Sequence, residues 1–426
     1  MNKYAPLLFL LLSCWVKTGN IMVTPGIYAG TIVHGNFSGN IEIELIKDTV
    51  AWRGYYTHYA ENAIHIPFQE LMVKDDTVRC LLKGDTYTLD FRCHYEKNEV
   101  SLVGQLRVDS ITVPFRLMNK AQEKNPVFTQ EAVEFNSNNN IIYGSIWKPG
   151  HPNGHAIIVL TSSGNWDRNA SSGLCQYFAL NGYTSFHYDK RGTGNTKGNW
   201  VNTGMDTLVQ DDQNAIRFFA EHTGIPLSQT GITGSSQGAT KIPEILNSIS
   251  ELPYGIMVSC PGSSLLESDL NFWKNRNLPS IPSDEQAAAI SLQRKAFMAY
   301  AGQIPYRELK QAFEENQDKT WFPLLEYAGE NDGTDSKLLY SPLTFLEKCS
   351  RPLLIIQGLD DEIIPSNSME IIVSAVKKAG NTQYDLIKFP ETNHAMQYTG
   401  PSDFPYMRQL QPAYLPAMLD WIKKLK

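Results

Sequence analysis

The chain has 426 residues, about three times a common domain length, which predicts two or three domains. Hydrophobic residues make up 42% and charged residues 19%, with 30 Gly and 23 Pro, a composition that excludes collagen, coiled coil and extensive disorder. Thirty-seven Lys and Arg against 44 Asp and Glu give a net charge of -7, with no basic stripe to neutralise a run of phosphates, so nucleic acid is excluded as a partner.

Lys3 followed by apolar or small residues from Ala5 to Leu12 reads as a signal peptide within residues 1–22. The run is too short for the roughly 20 apolar residues of a membrane-crossing helix. Leu11-Leu12-Ser13-Cys14 resembles the lipobox of bacterial lipoproteins, whose cysteine is acylated and becomes the new N-terminus; ordinary signal-peptidase cleavage is the alternative. Either route exports the protein, to the periplasm, a lipid-anchored envelope surface or the medium. Cys14, Cys80, Cys93, Cys175, Cys260 and Cys349 are spaced too irregularly for a zinc pattern or a disulfide scaffold, so no metal is expected. A hairpin turning at Lys83-Gly84-Asp85 would set Cys80 opposite Thr88, which makes Cys80 and Cys93 buried free thiols.

From Gly26 to Met118 short strands are predicted, with alternation in Ile41-Glu42-Ile43-Glu44-Leu45 and in Thr86 to Phe91, giving a small antiparallel β domain over residues 23–122. A hairpin turns near Asp109-Ser110, and the polar stretch Asn119 to Pro126 reads as a linker. Beyond it, over 126–426, strands alternate with helices. The turn Ser137-Asn138-Asn139-Asn140 separates two strands, and the apolar runs Ala156–Leu160, Tyr254–Ser259 and Pro352–Ile356 suit strands covered on both faces. Met205 to Glu221 reads as helix. The class is α/β with a mainly parallel sheet. Between about 262 and 339 the strand signal disappears, and Trp273, Phe297, Phe313, Trp321 and Phe322 stand among charged residues, which reads as a helical lid or, more plainly, a packing appendage.

Gly234-Ser235-Ser236-Gln237-Gly238 fits G-x-S-x-G between a strand and a helix. A sharp turn there holds Ser236 strained, and the flanking glycines let neighbouring backbone approach without a clashing Cβ. Ser235, the rival, lacks that spacing. A serine hydroxyl is a weak nucleophile and needs a base and an orienting acid, in the order Ser, Asp or Glu, His. Asp361, with Asp360 as its rival, follows the strand ending at Ile356, and His394 follows the next strand; beyond His222 it is the only histidine left in the chain. An oxyanion formed at Ser236 needs backbone donors: the amide of Gln237, and one from Thr161 to Arg168, with Ser163 ahead of Gly164.

Together these residues resemble the α/β-hydrolase superfamily from about Asn125 to Lys426. Tyr188-Asp189-Lys190-Arg191-Gly192-Thr193-Gly194 looks like the D-x-R-G-x-G turn after the family's fourth strand, whose Arg and Asp brace loops near the nucleophile. The nearest subgroup resembles bacterial carboxylesterases related to serine aminopeptidase-like hydrolases, in which a Gly-Ser-Gly-Pro-Gln-Asp-Arg-like segment replaces His-Gly. Ser162 to Arg168 takes that place here, with Ser162 for the first glycine and Asn165-Trp166 for Pro-Gln. Gly26-Ile27-Tyr28-Ala29-Gly30 looks like the G-x-W-x-G opening of the β domain that precedes some of these esterases.

The resemblance implies a serine hydrolase with an α/β-hydrolase fold, working through an acyl-enzyme and without a cofactor. A carboxylesterase for small or medium acyl esters is expected first, with the lid aromatics and Trp166 meeting an apolar acyl or aryl group and the β domain contacting glycans. An aminopeptidase, with Glu267 or Asp269 receiving an α-ammonium, and a thioesterase are alternatives on the same fold. The alternative from another class is an inactive surface binding protein.

Overall fold

The computed structural model describes residues 22–425 apart from 36, 50, 62, 85, 86, 121–127, 403 and 408. The expected signal peptide up to residue 21, Cys14 with it, and most of the expected linker lie outside the described residues. The chain divides into two compact units: the first comprises the chain up to His34 with Asn40–Tyr56 and His65–Gln122, the second Gly35–Gly39, Thr57–Ile64 and Glu123–Lys426.

Nine strands among the described residues form the first sheet: β1 (Gly26–His34), β2 (Phe37–Lys47), β3 (Trp52–His58), β4 (Ala63–Pro67), β5 (Glu70–Lys74), β6 (Thr77–Lys83), β7 (Thr88–Glu96), β8 (Ser101–Val108) and β9 (Ile111–Asn119). Their order is β4-β3-β2-β1-β9-β8-β7-β6-β5, and the ladders from β5 through β9 and on to β1 are antiparallel. Alternation explains the inward face: Leu89 and Phe91 are buried while Arg92 between Phe91 and Cys93 is exposed. The β8–β9 hairpin turns at Asp109-Ser110 as its spacing predicts, with Val108 opposite Ile111. The β6–β7 connection is longer than expected. Gly84 donates to the Tyr87 carbonyl, Lys83 pairs with Thr88, and Cys80 therefore faces Phe91 while Cys93 faces Val78. Both thiols are buried and free, and burial pushes that of Cys93 up to about 12.

The second sheet holds β10 (Phe128–Ser137), β11 (Asn140–Pro149), β12 (Ala156–Val159), β13 (Thr184–Tyr188), β14 (Thr230–Ser235), β15 (Gly255–Val258), β16 (Leu353–Gly358) and β17 (Tyr384–Phe389), in the order β10-β11-β13-β12-β14-β15-β16-β17. The β10–β11 and β11–β13 ladders are antiparallel and the other five parallel. Asn138 and Asn139, at φ 50° and 61°, make the tight β10–β11 turn, a conformation asparagine tolerates better than most residues.

The helices are α1 (Ser172–Leu180), α2 (Met205–Thr223), α3 (Gln237–Ser248), α4 (Leu265–Asn277), α5 (Gln286–Tyr300), α6 (Tyr306–Glu314), the short α7 (Leu343–Leu346), α8 (Ser368–Lys378) and α9 (Tyr414–Lys424). The continuous apolar runs follow from helices on both sheet faces. In β12, Ile158 packs with α2, α3 and α8, and its neighbour Ile157 with α1 and α9; in β16, Leu353 and Ile355 go to the first side, Leu354 and Ile356 to the second. Each such side chain contributes about 1.5–3 kcal/mol by leaving water. Helices α4 to α6 lie between β15 and β16 in sequence and close a core of their own around Trp273, Phe297 and Trp321. No helix of the described residues is long and apolar enough to cross a membrane.

Candidate active site

β14 ends at Ser235 and α3 starts at Gln237, leaving Ser236 alone in the turn at φ 52° and ψ -125°. A non-glycine residue held there costs on the order of 1–3 kcal/mol and persists because its surroundings over-determine it. Ser236 N–H donates to the Val258 carbonyl at 2.9 Å, and its own carbonyl accepts from Ala239 and Thr240 at 3.0 and 3.2 Å. The glycines are there for space. A Cβ on Gly234 would lie 2.7 Å from the Gly238 carbonyl carbon, and one on Gly238 2.9 Å from the Thr161 oxygen. Ser235, the rival in sequence, ends the strand, and its carbonyl accepts from Ser162 Oγ at 2.8 Å.

Asp361 stands in the loop after β16 with its side chain 1% exposed. One carboxylate oxygen accepts from the Ile363 and Ile364 amides, both at 2.9 Å, which fixes the carboxylate plane. Its two oxygens lie 3.0 and 2.8 Å from His394 Nδ1. The Nδ1 proton is thereby committed to Asp361, leaving the Nε2 lone pair free to accept a proton. Asp360 is exposed, and its carboxylate accepts from Thr399 Oγ1 instead. The loop carrying His394 is pinned from a place the sequence does not advertise: Ser259, at φ 46° just past β15, donates from its hydroxyl to the His394 carbonyl at 2.9 Å.

Ser236, His394, Gln237, Ser163 and Gly164 all line one cavity of about 950 Å³, within the range of small-molecule sites. As the first residue of α3, Gln237 has an N–H with no acceptor inside its own helix. The D-x-R-G-x-G turn braces as the resemblance implies, through separate partners: Asp189 pairs with Arg168 of the oxyanion segment, and Arg191 with Asp211 of α2 at 2.6 Å. Sequence reading missed Lys241 and Asp212, whose side chains are fully buried with their charges 2.5 Å apart; a lysine on a helix otherwise reads as solvated. Burial raises the Asp212 carboxyl, against the pull of Lys241 and the Tyr188 hydroxyl.

The expectation that the insertion's aromatics named from sequence meet the substrate is corrected. Trp273 and Trp321 are 0% and 1% exposed and, with Phe297, form the insertion's core, against which Phe313 and Phe322 pack; an insertion this small must bury its largest side chains in itself. The apolar and aromatic residues it turns to the cavity are Leu265, Phe272, Tyr300 and Leu338. Of the two acids, Glu267 is held by Arg294, one contact being 2.8 Å, whereas Asp269 lines the cavity. Asp269 opens into that space yet is crowded by protein, and burial together with the carboxylates of Glu326 and Asp335 pushes it up to about 6. Among the described residues no group of three or more His, Cys, Asp and Glu is arranged to hold a metal ion.

The prolyl oligopeptidase family matches residues 286–422, a stretch that contains Asp361 and His394 and begins after Ser236. No curated protein matches the chain. Among solved structures, an esterase of Pyrococcus furiosus is similar at 16% identity and a TM-score of 0.45, covering 70% of this chain and 91% of its own. A proline iminopeptidase of Mycobacterium smegmatis is similar at 16% identity and 0.46, covering 69% and 98%. An α/β hydrolase of a Penicillium species gives 15% and 0.45, covering 70% and 98%.

Proposed function

We propose that the chain is a member of the α/β-hydrolase superfamily, in keeping with the prolyl oligopeptidase family match over 286–422, and that it is an exported serine hydrolase, a carboxylesterase for small or medium acyl esters. The observation that carries the reading is His394, oriented by the enclosed Asp361 and lining one cavity with a serine held in a strand-to-helix elbow. Ser236 Oγ attacks the ester carbonyl while His394 Nε2 takes its proton, and Asp361 favours the resulting imidazolium. The oxyanion is received by the Gln237 and Ser163 amides. His394 then gives its proton to the leaving alcohol, and water, activated by the same nitrogen, releases the acid from the acyl-serine. No cofactor enters any step. The insertion acts as a lid that supplies the apolar wall for the acyl group. Hydrolysis of p-nitrophenyl esters of increasing chain length tests this reading: activity is expected from the wild type and loss of about 10⁴-fold or more in kcat from Ser236→Ala, and equal activity of the two proteins refutes it.

Asp269 favours a second reading, an aminopeptidase, because it is a cavity-facing carboxyl positioned to receive an α-ammonium. Aminoacyl p-nitroanilides cleaved faster than their N-acetylated forms, with KM raised by Asp269→Asn, would select it. A thioesterase uses the same machinery, and acyl-thioester assays separate it. Absence of fluorophosphonate labelling at Ser236 in folded protein would leave the inactive binding protein, and with it a glycan-contacting role for the β domain. For export, Cys14→Ala is expected to move the protein out of the membrane fraction; an unchanged fraction removes the lipid anchor.

A further inference from the structure

The segment 161–168 carries the Ser163 amide, and it is held almost residue by residue by groups that the chemistry above does not use. Ser162 Oγ donates to the Ser235 carbonyl. The Gly164 carbonyl accepts from Lys190 Nζ, and Asn165 Oδ1 from Trp200 Nε1 at 2.9 Å. Arg168 donates its N–H to Asp189 at 2.8 Å. At the root, Thr161 Oγ1 accepts from Lys241 Nζ at 3.1 Å and donates to Asp212 at 3.2 Å. Ser163 therefore sits between two tethered neighbours, and the direction of its N–H is set by theirs.

The Lys241–Asp212 pair is costly for what it would contribute to stability alone. Taking two charges out of water is costly, and apolar replacements of similar volume are often as stable. Its placement offers a different reason. Lys241 lies on α3, five residues after Ser236, and Asp212 lies on α2, so one hydroxyl, that of Thr161, joins the nucleophile helix to the root of the oxyanion segment. Tyr188 Oη, 2.7 Å from the same Asp212 oxygen, fixes the carboxylate from the sheet side. Lys190 is buried beside this pair with its ammonium 4.8 Å from the Trp200 ring centroid, a geometry in which the ring face attracts the charge. It reaches the middle of the segment, and the Lys241–Asp212 pair reaches its base.

We propose that Lys190 and the Lys241–Asp212 pair are positioning residues that aim the Ser163 amide at the oxyanion formed on Ser236. The inference rests on the Ser236 reading given above. Placement matters because a displacement of about 1 Å in a catalytic constellation costs roughly 10²-fold in rate.

The test uses the full chain carrying Lys190→Met, Lys190→Arg, or the neutral double change Asp212→Asn with Lys241→Met, beside Ser236→Ala. The readouts are kcat and KM on a p-nitrophenyl ester, the Kd of a phenylboronic acid that forms a tetrahedral anion on the serine, active sites titrated with a fluorophosphonate, and Tm. For Lys190→Met, kcat per titrated site is expected to fall roughly 10- to 100-fold with KM little changed, boronate affinity to weaken by the same factor, and Lys190→Arg to recover most of both. The double variant is expected to behave like Lys190→Met; if it does not fold, the two Lys190 variants decide alone. Unchanged kcat and boronate affinity, or a loss explained wholly by fewer titrated sites, overturns the positioning role while turnover that depends on Ser236 leaves the hydrolase reading standing. Turnover that survives Ser236→Ala overturns both.

Discussion

At the scale of single residues, two adjacent aspartates differ in everything but sequence position. Asp361 is enclosed, takes two backbone amides and meets His394, while Asp360 faces solvent and Thr399. Asp361→Asn is expected to lower kcat by about 10³–10⁴-fold, by turning the imidazole to the wrong tautomer, and Asp360→Asn to change it little; steady-state kinetics on one ester decides. His187 provides a stability test. It is fully enclosed, with Trp147 donating to Nε2 at 3.0 Å, and burial holds it near 3 instead of its usual 6.5. His58 is likewise held near 4 by burial. Because the unfolded chain binds these protons more readily, stability is complete above about pH 6.5 and falls as the pH drops toward the folded values. The contribution of His187 is a few kcal/mol. Thermal melts from pH 7 to 4 are expected to show a shallower decline for His187→Gln than for the wild type; parallel declines would refute the assignment.

At the scale of elements, the elbow depends on close backbone approach more than on any side-chain contact. Gly238 brings the first turn of α3 against the Thr161 carbonyl, the same residue at which the oxyanion segment is rooted. Gly238→Ala must push the two apart by a few tenths of an ångström or more. It is expected to reduce kcat by about 10-fold or more while Tm falls only modestly, since α3 still buries Ile242, Ile245 and Leu246. Melting curves run beside kinetics check this, and a loss of kcat that merely tracks unfolding would contradict it. The Ser259 bond to the His394 carbonyl has the same character, one strand end holding the loop of the next.

At the scale of the whole molecule, the insertion between β15 and β16 is a small body with its own core and a set of cavity-facing residues that overlaps it only in part. The two sets give opposite mutational signatures. Trp273, enclosed and donating to the Leu324 carbonyl at 2.8 Å, is a stability residue, and Trp273→Ala is expected to cost about 3–5 kcal/mol. Phe272, its neighbour in sequence, lines the cavity. Phe272→Ala is expected to leave Tm nearly unchanged and to shift the preferred acyl length of p-nitrophenyl esters upward; an unaltered length profile would place the acyl group elsewhere.

Much of this architecture is legible in the chain because it is written in local rules. Runs such as Pro352 to Ile356 announce strands covered on both faces, and G-x-S-x-G announces a turn that only glycine neighbours permit; neither depends on distant partners. Several features were decided only in three dimensions. The register of Cys80 and Cys93 turned on the length of one connection. Which insertion aromatics are core and which face the cavity turned on one-residue rotations of α4, as Phe272 and Trp273 show. The choice of Asp361 over Asp360, and the buried Lys241–Asp212 pair, turned on partners 33 and 29 positions away in sequence. A lysine or aspartate carries no local sign of whether its charge will meet water or another chain segment, because that is settled by packing, where burial and pairing energies are set.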